Sequence, residues 1–301
     1  MDVATNSQTI KMVALVAMLA LPGAAVAQTS QPDVSVGAQY DSTHVYVTPA
    51  DMNAFVKCIT ATFGGQASAA MVTNVLPVPS STQFRYIWTP AGTFSTFAFL
   101  TPIPYPFGTE RTGYLVTDMD TAVSAARASG AEVVVAPFKD PIGRDAIVQW
   151  PGGFRTQLYW HFTAPAYAPL SDIPDNRVYL SADRADEFVK EFVAFSHGEI
   201  VADVRQADAA EIGRPGSVFR RIRIRSGFGN MLIFVTDGHL PFPFGHEMTG
   251  YSVKNFDEAL ARATATGAKV LTHPIQPNGS RTAMVQFPGG FIAELHDGSP
   301  K

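Results

Sequence analysis

The hydrophobic and polar positions of this chain change their period several times, and each change predicts a new element. Apolar and polar residues alternate over His44–Val47, which predicts a short strand. An Asp/Asn turn follows, and apolar residues then recur every three or four positions, which predicts a helix. These helical positions are Ala54, Phe55, Cys58, Ile59 and Phe63.

The same order of elements is predicted further along the chain. Tyr114–Val116 predicts a strand, Asp118–Asp120 a helix start, and Gly130 the end of that helix. Three apolar runs then follow, EVVVAPF, AIVQW and FRTQLYWHF, and a Pro-Gly-Gly hairpin turn separates the last two. The predicted unit is therefore one strand, one helix and three strands.

The chain repeats this unit. Residues 107–158 align without a gap to residues 244–295, with 24 of 52 positions identical, and residues 44–57 resemble residues 177–190. Such internal similarity indicates a duplicated architecture. We therefore predict an α+β fold of four βαβββ units, with one domain over 42–162, a Pro- and Ala-rich linker over 163–175, and a second domain over 176–298.

Strand alternation sorts candidate site residues in the first half. Val45 and Val47 suit the side of the sheet that packs on a helix, so His44 and Tyr46 are expected to point into a cavity. In the last strand of this half, the residues Gln157, Tyr159 and His161 share one face. A hydrogen-bonded histidine at a strand entrance is the alternative interpretation of His44.

Arginines dominate one predicted strand of the second half. In FRRIRIRSG the isoleucines are expected to pack on a helix, which places Arg221, Arg223 and Arg225 on the opposite face. Together with Arg177 they would bind an anionic or oxygen-rich ligand, because guanidinium groups bind carboxylate and phosphate bidentately. The alternative is a solvated edge strand that its charges protect from aggregation.

The end of the chain offers a carboxylate and imidazoles. Glu294 and His296 share a strand face, and so do His246 and Met248. Glu294, His296 and His246 could converge on a divalent metal, or Glu294 and His296 could act as a base and its partner without metal. Ordinary polar lining of a pocket is the third interpretation.

A duplicated glutamate accompanies the repeat. Glu110 and Glu247 occupy the same place in the FGxE-xTGY motif of the two halves. A Phe-Gly turn that enters a strand suits a glutamate that binds neighbouring backbone N–H groups. Both are therefore interpreted as structural residues.

The first residues are expected to be a targeting signal. Lys11 precedes the apolar run Met12–Leu21, which is too short to span a bilayer, and Ala25–Ala27 supplies an A-x-A cleavage site before Gln28. We expect a signal peptide over 1–27, a flexible leader over 28–41, and a secreted or periplasmic mature protein without stable membrane insertion. A buried N-terminal helix is the alternative.

The amino-acid composition argues against several classes of protein and of binding site. The 301 residues carry a net charge of −4, which gives no support for nucleic-acid binding, and 11% aromatic residues argue against disorder. The single cysteine, Cys58, excludes an intrachain disulfide and sites built from several cysteines, and its apolar surroundings predict a buried packing residue. A small molecule is the expected partner.

The motifs resemble the vicinal oxygen chelate superfamily, which includes glyoxalase I, bleomycin-resistance proteins and extradiol dioxygenases. The resemblance is carried by His44-Val45-x-Val47 and by PGGF-RTQL and PGGF-IAEL at the ends of the two halves, where Gly-Gly replaces the family's usual Gly-Asn. It implies paired units with curved mixed sheets around a ligand. It also implies metal ligands on first and last strands, which here are the positions of His44, Arg111, Arg177, Met248, Gln157 and Glu294.

The resemblance leaves two main hypotheses on function. The first is a metal-dependent lyase, isomerase or extradiol-type dioxygenase that uses Fe, Mn, Zn or Ni, with catalytic Glu294 and His296, on a small oxygenated, anionic or aromatic molecule. The second is a metal-free protein that binds or sequesters a small molecule, as bleomycin-resistance proteins do. Neither half has the usual two histidines and one glutamate at the aligned positions, which favours the second. A third hypothesis is a protein-interaction module that uses the segments PIPYPFG and LPFPFG.

Overall fold

The computed structural model describes residues 33–35, 39–77, 79–102, 108–276 and 279–298. The expected signal peptide and part of the expected leader lie outside these residues. Within the described ranges, none of the helices has both the length and the hydropathy that crossing a bilayer requires.

The first half contains two βαβββ units in sequence, the first with an additional short strand. Its elements are β1 (Thr43–Tyr46), α1 (Met52–Phe63), β2 (Gln66–Ala67), β3 (Met71–Val75), β4 (Ser80–Thr89), β5 (Gly92–Phe99), β6 (Glu110–Leu115), α2 (Met119–Ala128), β7 (Glu132–Lys139), β8 (Gly143–Gln149) and β9 (Arg155–His161).

The second half repeats this order, with a short 3₁₀ helix inserted in its first unit. Its elements are β10 (Asp175–Leu180), α3 (Ala182–Ser196), β11 (Glu199–Asp208), the 3₁₀ helix (Ala209–Ile212), β12 (Val218–Ser226), β13 (Gly229–Val235), β14 (Met248–Val253), α4 (Phe256–Ala265), β15 (Lys269–Val270), β16 (Thr282–Gln286) and β17 (Ile292–Asp297). The predicted four βαβββ units are confirmed.

Each half forms one mixed, curved sheet. The strand order of the first is β2-β4-β5-β1-β6-β9-β8-β7, with β3 paired to β4, and that of the second is β11-β12-β13-β10-β14-β17-β16-β15. In both sheets the first strands of the two units are central neighbours, because β1 pairs with β6 and β10 pairs with β14. The predicted fold class is thus confirmed.

The helices pack across the two halves rather than within one. Phe55 of α1 and Phe256 of α4 belong to one buried hydrophobic cluster, and Ala122 of α2 and Phe192 of α3 belong to another. Cys58 is fully buried in the first of these clusters, as predicted, and burial raises the pKa of its thiol. Burial of helical faces from both halves in shared cores accounts for the compactness of the described chain from residue 33 onward.

Candidate functional site

The central strands bring the aligned first-strand residues together in pairs. His44 on β1 lies opposite Arg111 on β6, and Arg177 on β10 lies opposite Met248 on β14. The internal repeat therefore places two related pairs at the middle of the two sheets.

Successive side chains of a strand point to opposite faces of the sheet, and this alternation shows which of these residues face away from the helices. Val45 and Leu158 are fully buried in the helix-packed clusters, so His44 and Tyr46 on β1, and Gln157 on β9, point to the other side. We call the side of each sheet turned away from the helices its inner face. The predicted facing of these residues in the first half agrees with the structure.

His44 is held by an acidic residue that precedes its strand. The His44 Nε2 atom lies 3.5 Å from the Asp41 Oδ2 atom, and the Ser95 hydroxyl donates a hydrogen bond to the same carboxylate oxygen. The serine thus bonds to the carboxylate and not to the imidazole. This order differs from that of an activated serine, whose hydroxyl donates to the histidine.

Asp145 on β8 adds a second carboxyl group to this inner face. Burial and the nearby Asp140 raise the pKa of Asp145 to about 6, while His44 and a hydrogen bond with Gln157 oppose that rise. A carboxyl group that titrates near neutral pH can hold or release a proton under physiological conditions. The first inner face therefore carries a group suited to proton exchange with a ligand.

Tyr159 and His161 follow Gln157 on the same face of β9. The Tyr159 hydroxyl donates to the Asp41 carbonyl oxygen and accepts from the Asp41 backbone N–H at 3.1 Å, so this predicted ligand-binding residue fixes the segment before β1. The His161 Nδ1 atom is buried without a hydrogen-bond partner among the described residues, and burial lowers the pKa of the imidazole.

Aromatic rings form most of the remaining surface of the first inner face. Tyr46 stacks on Phe97 and Phe99, with ring centroids 5.6 and 5.9 Å apart. Tyr86 and Trp88 on β4 stack on each other at 5.7 Å. Such a surface favours planar apolar groups, because aromatic pairs stabilise offset and edge-on contacts beyond simple burial.

The linker between the halves covers one end of these rings. Tyr167 lies 5.6 Å from Trp88 and 6.1 Å from Tyr86, measured between ring centroids. A cavity of about 600 Å³ opens beside this contact. Its lining consists of Gly65, Gln66, Trp88, Thr89, Thr93, Tyr167, Ala168, Pro169, Leu170 and Ser171.

Trp88 lines this cavity and also carries a buried polar atom. Its indole Nε1 atom is buried and has no hydrogen-bond partner among the described residues. A buried N–H group without an acceptor costs free energy, which a ligand oxygen can recover. The cavity thus has aromatic walls, and an unsatisfied N–H donor is buried in one of the residues that line it.

The inner face of the second sheet has a different chemistry. The Glu294 carboxylate accepts from the Thr282 hydroxyl, lies 2.7 Å from the His296 Nδ1 atom and 3.8 Å from the Arg177 Nη1 atom. Burial alone would raise the pKa of Glu294, but His296 and Arg177 hold it at about 2. Glu294 is thus a carboxylate enclosed by positive and hydrogen-bonding groups.

The three arginines of β12 differ in their burial and in the side chains that contact them. Arg221 and Arg223 are buried on the inner face, where Arg221 Nη1 donates to Glu211 at 2.9 and 3.0 Å. Arg225 is exposed and pairs with Glu199. The alternative of a solvated edge strand is wrong, because β12 lies between β11 and β13 in the sheet.

Several residues of these faces are missing from the sequence prediction. Asp145 and Trp88 occupy inner-face positions of β8 and β4, so alternation applied to these two strands would have found them. Tyr167 and Glu211 lie on connecting segments without a periodic pattern. Their contacts could be found only from the folded chain.

Comparison with known proteins places this architecture among solved structures. No protein-family model matches the sequence, and no curated protein matches it. A substituted 4-hydroxymandelate synthase from Streptomyces coelicolor matches with a TM-score of 0.55 and 12% identity over 88% of this chain and 93% of that one. The chain has the vicinal oxygen chelate fold.

Two further solved structures share the vicinal oxygen chelate fold with it. A 2,3-dioxygenase from Pseudomonas sp. KL28 has a TM-score of 0.55 and 12% identity, covering 87% of this chain and 92% of that one. The Mn(II)-bound glyoxalase from Novosphingobium aromaticivorans has a TM-score of 0.53 and 12% identity, covering 88% and 83%. At these identities the likeness concerns the fold.

The metal that this fold often holds does not fit the residues present. In the second half the aligned positions hold Arg177, Met248 and Glu294, so a fixed cation occupies one position and lies beside the single carboxylate. In the first half they hold His44, Arg111 and Gln157, which is again a set with an arginine. A guanidinium group cannot bind a metal cation and repels it.

The expected group of His246, Glu294 and His296 is also not formed. His246 is exposed in the segment before β14, whereas Glu294 and His296 are buried on β17. No group of three or more His, Cys, Asp or Glu side chains able to hold a metal occurs in the part of the chain that the structure describes. The tentative metal role of His246 therefore finds no support in this geometry.

Proposed function

We propose that this protein binds a planar aromatic small molecule with an oxygen substituent on the inner face of its first sheet. The observation that carries the proposal is the cavity of about 600 Å³ between Trp88 and Tyr167. Its volume is in the range of small-molecule sites, and its walls combine aromatic rings with a few polar groups. The buried Trp88 N–H would donate to the oxygen substituent of the ligand.

The neighbouring polar groups suit a ligand with an acidic hydroxyl. Asp145, with its pKa raised to about 6 by burial, would accept a proton or hydrogen bond from such a group, with His44 as its neighbour. Solved structures with the same fold include a 2,3-dioxygenase, whose name indicates oxygen chemistry on adjacent positions of a substrate. Catechol, a planar ring with two adjacent hydroxyl groups, is therefore the first probe.

Binding of catechol to the purified protein, measured by isothermal titration calorimetry, tests the proposal. Trp88→Phe keeps an aromatic ring and removes the N–H donor, so we expect it to weaken binding roughly tenfold, the equivalent of one hydrogen bond. Trp160→Phe is the matched control, because Trp160 packs against the helix-side cluster. Equal affinity of the wild type and Trp88→Phe would overturn the role assigned to this cavity.

An enzyme that uses Glu294 and His296 as a base and its partner is the second candidate, and the geometry of this pair favours it. Glu294 and His296 place a carboxylate and an imidazole 2.7 Å apart in a buried environment, and the solved structures that share the fold include a glyoxalase with bound Mn(II). Incubation with Fe(II), Mn(II), Zn(II) or Ni(II), followed by an assay for catechol consumption under oxygen, distinguishes turnover from binding alone.

We also propose that the protein functions outside the cytoplasm. The support is the sequence pattern of residues 1–27, an apolar run followed by small residues, which is typical of a secretory signal. Expression of the full chain in a Gram-negative host and determination of the N-terminal residue of the product test this proposal. A product that begins at Gln28 supports it, and an uncleaved cytoplasmic product contradicts it.

A further inference from the structure

Three carboxyl groups lie at one end of the first inner face. Asp145 on β8 is opposite Tyr159 on β9, and the Tyr159 hydroxyl bonds to the backbone of Asp41. Asp140 lies between β7 and β8, and its charge and that of Asp41 both act on Asp145. We call Asp41, Asp140 and Asp145 the acidic end of this face.

Neutral groups supply the hydrogen bonds of two of these carboxylates. The Asp140 Oδ1 atom accepts from a backbone N–H of its own turn at 3.0 Å, and Asp145 bonds to the side-chain amide of Gln157. Arg144, the neighbour of Asp145 on β8, pairs instead with Asp120 at 2.9 Å. These contacts stabilise the carboxylates and leave their negative charge uncompensated.

The arginines of this face lie away from the acidic end. Arg155 is four positions before Tyr159 on β9, and Arg111 is four positions before Leu115, the β6 residue that pairs with Tyr159. At about 3.3 Å per strand residue, both arginine backbones are roughly 13 Å from the level of Tyr159. Because Coulomb energy falls with distance, the carboxylates act more strongly than the arginines on a ligand at this end.

Aromatic rings border the same end. Tyr167 packs against Tyr86 and Trp88, and the Tyr40 ring contacts Tyr167 edge-on with centroids 5.9 Å apart. All four side chains are half-buried, so part of each ring is accessible. Burial, and then the charges of the acidic end, raise the pKa of Tyr86 to about 12. The rings and the carboxylates therefore act on the same space.

We propose that the ligand of the first inner face is an aromatic ammonium compound, whose cationic nitrogen binds between the rings of Tyr86, Trp88 and Tyr167 and the acidic end. This inference rests on the function proposed above and assigns the charge of the same ligand. The negative face of an aromatic ring attracts a cation, and the carboxylates add Coulomb attraction. A neutral ligand gains neither contribution, and an anion is repelled.

Three ligands that share the catechol ring and differ in side-chain charge test the proposal: dopamine is a cation, 4-ethylcatechol is neutral, and 3-(3,4-dihydroxyphenyl)propanoate is an anion. Calorimetric titration of the full-length wild type at pH 7 and constant ionic strength, without oxygen, gives their affinities. We expect dopamine to bind at least tenfold more tightly than 4-ethylcatechol, and the anion to bind more weakly than both.

The outcomes separate this inference from the function on which it rests. Equal affinities for dopamine and 4-ethylcatechol would overturn the inference and leave the proposed function intact. Absence of binding by all three ligands and by catechol would overturn the proposed function itself, and the inference with it.

Two variants at the acidic end and one control locate the cation. Asp140→Asn and Asp145→Asn each remove one charge and keep the side-chain shape, so each should reduce the ratio of dopamine affinity to 4-ethylcatechol affinity at least threefold. This ratio cancels any effect of a substitution on the shared catechol ring. Asp183→Asn, at an exposed position of α3, should keep the ratio of the wild type. A wild-type ratio in both folded variants, or in Asp140→Asn if only that variant folds, contradicts the assignment.

The contribution of the rings is tested at Tyr167 in the linker. Tyr167→Leu removes the ring and should reduce the same ratio severalfold, whereas Tyr167→Phe keeps a ring face and should retain most of the preference for dopamine. Equal ratios in the wild type and both variants would contradict the placement of the nitrogen against the Tyr167 ring.

Discussion

The Thr112 hydroxyl donates a hydrogen bond to the Glu247 carboxyl group 3.0 Å away, across the boundary between the two halves. The Thr249 hydroxyl makes the equivalent bond to Glu110, also at 3.0 Å. The repeat therefore generates two reciprocal contacts, between β6 and β14 together with the residue that precedes β14. The motif predicts that Glu110 and Glu247 bind backbone N–H groups of the adjacent turn, whereas the structure gives each a hydroxyl donor from the opposite half.

These contacts predict that the stability of the protein depends on pH. Burial raises the pKa of Glu247 to about 8, and the hydrogen bond from Thr112 and the charge of Arg111 only partly oppose it. The folded protein therefore keeps a proton that the unfolded chain loses near pH 4.5. This retained proton stabilises the folded protein by on the order of a few kcal/mol. The stabilisation is complete below pH 4.5 and is lost as the pH rises toward 8.

Urea denaturation of the wild type and Glu247→Gln at several pH values between 5 and 8 measures this effect. Gln is neutral at every pH, so the variant should lose stability less steeply than the wild type across the range. Glu132→Gln, at an exposed position of β7, is the control and should follow the wild type. Identical slopes for Glu247→Gln and the wild type would show that Glu247 does not keep its proton.

The fold could be predicted from the sequence because its evidence is local and repeated. The motif FGxE-xTGY and the PGGF turn occur twice at the same spacing, and Gly152 and Gly153 have the positive φ values that such a hairpin turn requires. Strand alternation also predicted that Arg221 and Arg223 share a face opposite Ile222. Periodicity determines which face a residue occupies, and the structure agrees on that point.

The partners of those residues could not be predicted, because they come from segments without periodic signals. Glu211, which binds Arg221, lies on a 3₁₀ helix, and Tyr167, which covers Trp88, lies in the linker between the halves. His246 precedes β14, where strand alternation no longer fixes the direction of a side chain. The hypothesis that His246 and Glu294 lie in one site therefore rested only on the strand face predicted for each residue. It was not based on a contact between them.

The pair of Arg177 and Glu294 predicts that the protein does not need a divalent metal for stability or ligand binding. We expect the purified protein to contain well below one equivalent of Fe, Mn, Zn or Ni by elemental analysis. Treatment with a chelator should leave its melting temperature and its catechol affinity unchanged. About one equivalent of metal in the wild type, absent from Glu294→Ala, would contradict this prediction and favour the enzyme hypothesis.

Glu294 is expected to stabilise the fold through its charge. Glu294→Gln leaves Arg177 buried without its carboxylate, and loss of one partner of a buried pair costs about 3–5 kcal/mol. Urea denaturation at pH 7 measures the loss, with Glu132→Gln as the exposed control. Because His296 and Arg177 hold the pKa of Glu294 at about 2 against burial, its stabilisation should disappear as the pH falls from 4.5 toward 2.

A second change in the same protein tests whether the effect belongs to the pair. Adding Arg177→Met to Glu294→Gln removes the unpaired buried charge, so the double variant should be more stable than Glu294→Gln alone. If the second substitution only adds a further loss of its own, the two side chains are not energetically coupled, and the cost of Glu294→Gln arises from its bonds to Thr282 and His296.

Gly250 is expected to be required for the contact between Arg177 and Glu294, and the repeat supplies its own control. A Cβ atom at Gly250 would lie 2.6 Å from Glu294 Oε2 and 3.5 Å from Arg177 Cδ, so Gly250→Ala should cost about 1–3 kcal/mol by overpacking. Gly113 occupies the equivalent position in the first half, where a Cβ atom would meet Tyr159 at an ordinary 3.4 Å. Gly113→Ala should therefore be nearly neutral in urea denaturation. If both variants lost the same free energy of unfolding, glycine would be needed at these positions for backbone flexibility. It would then not be needed to leave space for the ion pair.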